Sequence, residues 1–242
     1  MKTEHKIKKL ECKIKNLEEK IKKMENVTVG KSIITNIYSW ITIFVAVYFI
    51  SPDNYGIGLL TFFILFFAAY YVHTENHKYF TFFTLLHRYH HENDNCFSHF
   101  VQYVMELGLP FVFLIIYYFF GTILLDKWII LFSALFYSTI HNINYGYFKV
   151  NDVHSKHHKN PLTNYGPDIC DIMFGTKHPD DTEVENTNHY IPNIIIVTIC
   201  ILLLQRMCLK ESFNTLFVKY TNYFLIICFV IYMGSSYFVY SL

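Results

Sequence analysis

Long apolar runs, with clustered histidines at the ends of some of them, constrain this chain more than any other feature. Ile33–Ile50 covers 18 residues and Ile57–Val72 covers 16; Leu107–Leu125 covers 19 and Trp128–Ile140 covers 13. Two further runs follow, Ile191–Leu204 and Tyr223–Tyr240. A bilayer's hydrocarbon is crossed by about 20 apolar residues in a helix. The turn signal Ser51-Pro52-Asp53-Asn54-Tyr55-Gly56 separates the first two runs, and Asp126-Lys127 separates the next two. The pattern predicts four spans in two hairpins, followed by one or two C-terminal spans. The composition agrees: the chain is 53% hydrophobic and holds 24 Phe and 20 Tyr in 242 residues.

Charge is distributed unevenly. Formal net charge is only +1, yet residues 1–31 carry ten Lys against five Glu. Residues 7–25 form heptads, with Ile7, Ile14 and Ile21 at a and Leu10, Leu17 and Met24 at d. Lys6, Lys13 and Lys20 fall at g, and Glu11, Glu18 and Glu25 at e. This spacing fits a parallel two-stranded coiled coil; a lone basic helix lying on anionic lipid is the alternative. Two domains are therefore expected: a coiled-coil or basic helix over 1–30 and a membrane-embedded domain over 31–242. No cleavable signal peptide is expected, because a charged helix precedes the first apolar run. Basic residues cluster only in the heptads, without aromatic interleaving, so nucleic-acid binding is not expected.

The positive-inside rule keeps the Lys-rich N-terminus in the cytoplasm. Counting spans from there, segments 73–106 and 141–190 share that face. They hold twelve of the chain's thirteen histidines, nine of them clustered. His73 and His77 form H-x3-H; His87, His90 and His91 form H-x2-H-H; His141 ends the fourth run; His154, His157 and His158 repeat H-x2-H-H. In a helix, positions i, i+3 and i+4 share a face, so each box presents its rings together. Nine imidazoles are enough for two metal ions. His5, His99, His178 and His189 stand outside the boxes and read as surface or supporting residues. Six cysteines at 12, 96, 170, 200, 208 and 228 show no CxxC pair, so neither a disulfide framework nor a zinc–thiolate site is expected.

These boxes, arranged around paired hairpins, resemble the fatty acid hydroxylase and sterol desaturase superfamily. Asn164-Tyr165-Gly166, then Asp168, Asp171 and Phe174-Gly175-Thr176, are similar to that family's segment after the last histidine box. The resemblance covers about residues 35–180. It implies an all-α integral membrane bundle of about four to six spans, with a cytosolic histidine-rich helical cap, in the endoplasmic reticulum. It also implies a di-iron oxygenase with the nine clustered histidines as ligands, O2 as co-substrate and a membrane lipid as substrate. Zinc could replace iron in purified material. Electrons would come from an external donor such as cytochrome b5 with an NAD(P)H reductase, since no haem domain is fused to the chain.

One position departs from the family pattern. Some members carry a second histidine four residues after the one matching His141; here that residue is Tyr145. Water, Asn144 or Asn164 could fill the place, and Tyr145 could act as ligand, proton donor or packing residue. Asp168 and Asp171 are expected either to hydrogen-bond ligand imidazoles or to cap a helix, while Asn164 and Gly166 shape the turn. Hydroxylation of a fatty acyl, sphingolipid or sterol-like lipid is the leading expectation, with desaturation on the same scaffold as the alternative. A membrane zinc hydrolase would need a general base such as Glu75 or Glu92. A non-enzymatic scaffold would use the heptads alone.

Overall fold

The computed structural model describes residues 2–24, 27–79, 82–93, 95–121 and 124–208. The run predicted to form a span at Tyr223–Tyr240 lies outside them, as do the side chains of Leu17, Ile21 and Met24. All regular structure among the described residues is helical. The elements are α1 (Lys2–Met24), α2 (Val29–Thr35), α3 (Ile37–Ile50), α4 (Tyr55–Lys78), α5 (Phe82–Glu92), α6 (Cys96–Phe120), α7 (Lys127–Thr139), a π-helical segment (Ile140–Tyr147), α8 (Val153–Lys159), α9 (Asp168–Phe174), a short 3-10 turn (Asn188–Tyr190) and α10 (Ile191–Cys208). The chain divides into two compact units after Thr198. Of the second unit, the described part is the helical stretch 199–208.

Among the described residues, three helical stretches are long and apolar enough to cross a membrane: Tyr55–Lys78, Phe97–Phe120 and Asn188–Cys208. The first apolar run would be a fourth, but it is not the single straight helix the sequence predicts. It breaks at Asn36 into α2 and α3, bent by 72°. The cause is a distant segment. Asn36 donates Nδ2 to the Glu185 carbonyl (2.9 Å) and accepts from the Thr187 amide (2.7 Å), and Ser39 donates to the Thr187 carbonyl (2.9 Å). These buried bonds satisfy a loop that would otherwise carry unpaired backbone groups.

The fourth run forms α7, which passes without a break into the π-helical segment ending at Tyr147. Ile129, Ile130 and Phe132 of α7 are fully buried, and α7 packs against α3, α4 and α6. Exposed Phe, Tyr, Ile and Val side chains cover the outer helices, including Phe111, Tyr118, Phe119 and Ile196. Such surface suits a hydrocarbon solvent.

The two turns that connect the hairpins meet at one end of the bundle. Ser51 donates to Asp126 Oδ2 (2.6 Å), and the Asp126 amide donates to Thr61 Oγ1 (2.9 Å). Asp126 also caps α7, its Oδ1 accepting from the Trp128 and Ile129 amides. Close to this clasp, α3 and α4 approach at Gly58, where a Cβ would lie 3.1 Å from Val47 Cγ1 and 3.2 Å from Ser51 Cβ. Leu65, Leu125 and Ile130 pack beside it against Phe113 and Tyr117. With both turns tied together, the histidine-bearing ends of α4 and α7 are held at the opposite end.

Asp126→Ala removes the cap and the Ser51 partner together. It should destabilise the folded chain by about 1–2 kcal/mol, seen as a lower thermal midpoint in detergent, while leaving metal content per protein unchanged.

Candidate metal centre

The nine box histidines converge, and they do so as two groups. Ligand nitrogens of His73, His77, His87, His91 and His157 all lie within 4.8 Å of one another, as do those of His90, His141 and His154. His158 joins the second group through Nε2, 2.8 Å from His154 Nε2. Its ring also stacks on His91 at 4.2 Å, so the two groups are adjacent. The helical boxes divide between them. In α5 the i,i+4 pair His87 and His91 enters the first group and His90 the second. In α8 the i,i+4 pair His154 and His158 enters the second group and His157 the first. Each short helix therefore contributes to both groups, in opposite proportion.

Four of these imidazoles have their tautomer set by an oxygen acceptor. His73 Nδ1 donates to the Tyr165 carbonyl and His157 Nδ1 to the Thr163 carbonyl, both at 2.7 Å. His87 Nδ1 donates to Gln102 Oε1 at 3.1 Å, with the Gln102 amide turned to Glu106 Oε1 (3.0 Å). His141 Nδ1 is paired with Glu106. Each Nδ1 carries the hydrogen, so each Nε2 presents a lone pair. Those lone pairs point at other imidazole nitrogens. His73 and His157 face each other at 3.0 Å, His87 lies 2.9 Å from His77 and 3.1 Å from His91, and His141 lies 3.0 Å from His154. Among the described residues, both ring nitrogens of His90 and Nδ1 of His91 are buried without a hydrogen-bond partner. Lone pairs facing one another in a buried site repel unless a cation lies among them, and the donor set is that of a transition-metal centre.

Electrostatics agree. Burial pushes His87 down to about 3, and it also holds His90, His91, His154 and His157 well below the usual histidine value. Neutral imidazole is the ligating form.

The supporting residues differ in part from expectation. Asn164, at φ +53, and Gly166, at φ +64, shape the turn that aims the Thr163 and Tyr165 carbonyls at His157 and His73. Asp168 and Asp171 were candidates for imidazole partners, but their bonds go elsewhere. Asp171 accepts from the Tyr165 amide (3.0 Å), the Gly166 amide (2.7 Å) and the Thr176 hydroxyl (2.7 Å). It braces the turn, one bond removed from His73. Asp168 accepts from the Glu185 amide (3.1 Å) and pairs with Lys177. The carboxylate that does reach an imidazole is Glu106, which the sequence reading passed over. It sits within an apolar helix, and an ionisable residue there is itself a signal of function. It is held by Gln102 and by Asn142 Nδ2 (2.8 Å).

Tyr145 is not placed as a ligand through its hydroxyl. That group donates to Glu185 Oε1 (2.6 Å) and meets Tyr190 Oη (2.5 Å), while its ring stacks beside His154. Asn144 bonds the His189 carbonyl and Asn193, and Asn164 bonds Asp181, so neither fills the missing place. Of the histidines outside the boxes, His99 lies against His90 with centroids 5.5 Å apart, and His189 packs on Tyr145 and Tyr190. The backbone of His178 donates to Asn164 Oδ1, and His5 is exposed on α1. Glu75 and Glu92 pair outward, with Lys78 and Arg88.

A cavity of about 450 Å³ adjoins the centre. Its walls include His73, His87, His141 and His154 together with Trp40, Phe62, Leu65, Phe66 and Val112.

Two outcomes follow from this geometry. Glu106→Gln weakens the acceptor on His141 Nδ1 and should loosen one ion of two by about 10–100-fold, read as metal per protein after graded chelation. Burial raises Glu185 to about 7, against the lowering effect of its bonds from Tyr145 and Asn151. A carboxyl raised in the folded state gives stability that is complete below its unfolded value near 4.5 and is lost as pH rises through about 7. Glu185→Gln should therefore flatten the fall in thermal midpoint between pH 5 and pH 8.

Comparison with known proteins adds one finding. Residues 58–176 match the family model of fatty acid hydroxylase. Neither a curated protein nor a solved structure matches the chain significantly. The matched segment begins at the Gly58 contact and ends at Thr176, so it holds all nine converging histidines and the turn that braces them. Through this segment, just under half of its length, the chain is similar to the fatty acid hydroxylase family.

Proposed function

We propose that the chain is an O2-dependent di-iron membrane oxygenase that hydroxylates a lipid. The observation that carries this reading is the convergence of tautomer-locked Nε2 lone pairs in two adjacent buried groups. Iron is favoured over zinc by the family match, because zinc has no redox chemistry to offer. His73, His77, His87, His91 and His157 would hold one, and His90, His141, His154 and His158 the other.

When bound, a pair of irons supplies the redox chemistry that turns O2 on an unactivated C–H bond. The protein's part is positioning. The cavity admits an apolar chain between α3, α4, α6 and α7 and brings it against imidazoles of both groups. Its aromatic and aliphatic walls exclude water from the reacting carbon. Glu106 and Gln102 keep His141 and His87 in the ligating tautomer. The turn at 163–166, braced by Asp171, does the same for His157 and His73. Tyr145, Tyr190 and Glu185 form a buried hydroxyl–carboxyl chain beside His154 that can hold a proton near the second group.

The polar head of a lipid would stay near the interface at the histidine end. That end would face the cytosol, on the side of the Lys-rich N-terminus, in the endoplasmic reticulum membrane. Electrons would come from an external donor such as cytochrome b5 with its NAD(P)H reductase. The zinc-hydrolase reading lacks its base, since Glu75 and Glu92 turn to cations on their own helices.

The test is lipid profiling of cells that express the wild type or His157→Ala under 18O2. Wild-type cells should accumulate a lipid carrying one 18O, and the variant should abolish it while inserting normally in membranes. Unsaturation without label would reassign the chain as a desaturase. Product formation without O2 would reject the oxygenase reading.

A further inference from the structure

Helix α1 takes no part in the centre, yet it carries the chain's most regular pattern. It is one continuous helix of 23 residues. Its described a and d side chains, Ile7, Leu10 and Ile14, are each more than half exposed. Three large aliphatic residues in a row at heptad spacing, left open to solvent, form an unpartnered stripe.

The flanking charges identify what covers it. Every g position is Lys (6, 13 and 20) and every e position is Glu (11, 18 and 25). In a parallel pair of identical helices each g residue faces the e residue five positions on in the partner. Lys6, Lys13 and Lys20 then meet Glu11, Glu18 and Glu25 of the second copy, on both sides of the seam. In an antiparallel pair g meets g and e meets e, so Lys would face Lys and Glu would face Glu. Ile at a with Leu at d selects two strands over three or four.

Lipid is the poorer occupant. A helix lying on an anionic membrane presents cations on both flanks and anchors with Trp or Phe. Here one flank is acidic. Residues 2–24 contain no aromatic, in a chain that is 19% aromatic. The stripe therefore lacks the side chains that the membrane-facing helices use throughout.

We propose that α1 pairs in parallel and in register with α1 of a second copy, making the protein a homodimer through this helix. Three heptads are marginal for free peptides in water. Two copies anchored in one bilayer with the same orientation meet at raised effective concentration, with both helices on the same face. Pairing would set two catalytic domains side by side without contributing to either metal centre.

The experiment uses the full-length chain in membranes and in detergent. Lys6, Lys13 and Lys20 are changed to Glu in one tagged variant, and Glu11, Glu18 and Glu25 to Lys in another. Detergent-corrected light scattering should give twice the monomer mass for the wild type and monomer for either variant alone. The two variants expressed together should recover the dimer and co-purify. In a Cys12→Ser background, Leu10→Cys should cross-link to itself in membranes and Lys8→Cys, on the outer face, should not. A wild-type monomer, a dimer indifferent to both charge variants, or equal cross-linking at positions 8 and 10 would overturn the proposal. The last pattern would favour a helix resting on lipid or on another protein. Lipid product formation, measured in parallel, reports on the catalytic centre separately.

Discussion

The centre is organised around imidazole nitrogens that face one another at about hydrogen-bonding distance, and in the His73–His157 pair both hydrogens are already given to backbone oxygens. His73, His157, His87 and His141 have each spent their N–H on an oxygen behind them. Their remaining lone pairs converge in a buried space. Without a cation that arrangement is repulsive, and burial adds the loss of hydration at each nitrogen. With one it becomes the strongest interaction in the domain, and its binding free energy is folding free energy. The rest of the structure makes the convergence tolerable. The Ser51–Asp126–Thr61 clasp ties the hairpins at one end, and Asp171 braces the 163–166 turn at the other.

The sharing of ligands between α5 and α8 explains why two H-x2-H-H boxes are needed rather than one. A single helical box can put an i,i+4 pair on one ion, and its third imidazole, about 100° round the helix axis, then points at a neighbouring ion. Two such helices facing each other supply a pair and a single to each ion. The remaining donors come from the ends of long helices. His73 and His77 from α4 complete the first group, and His141 alone completes the second. Tyr145 stands where α4's pattern would place a further imidazole. The second group is thus one donor poorer, and the chain there is committed to Glu185 and Tyr190 instead. The donor set is therefore asymmetric, five imidazoles in one group and four in the other.

Much of this was legible in the sequence because it is local. Histidines three and four apart on a helix are neighbours whatever the tertiary fold. The apolar runs announced most of the helices, and the heptads of α1 are read directly. What escaped was decided at long range. Asn36 breaks the first run because residues 185–187 come to it, and nothing between positions 33 and 50 signals that. Asp168 and Asp171 read as candidate imidazole partners, but Asp171 acts instead on the backbone that carries a ligand's acceptor. The division of each histidine box between two ions is likewise a property of how helices face each other.

Glu106 shows how the missed residue could have been found. The third apolar run was counted from Leu107, so the glutamate one position earlier was treated as its border. In the structure α6 begins at Cys96, and Glu106 lies ten residues inside it, on the same face as Gln102. An ionised carboxylate in such a place is costly unless paired. Here its oxygens accept from Gln102 and Asn142 and face His141. The cost of keeping a carboxylate in an apolar helix is offset only where its charge is used, and an imidazole in a donor set for a cation uses it: the carboxylate fixes the ring's orientation. A lone acidic residue at the margin of a span, four residues after a polar amide, was therefore the sequence signal of the centre's supporting shell.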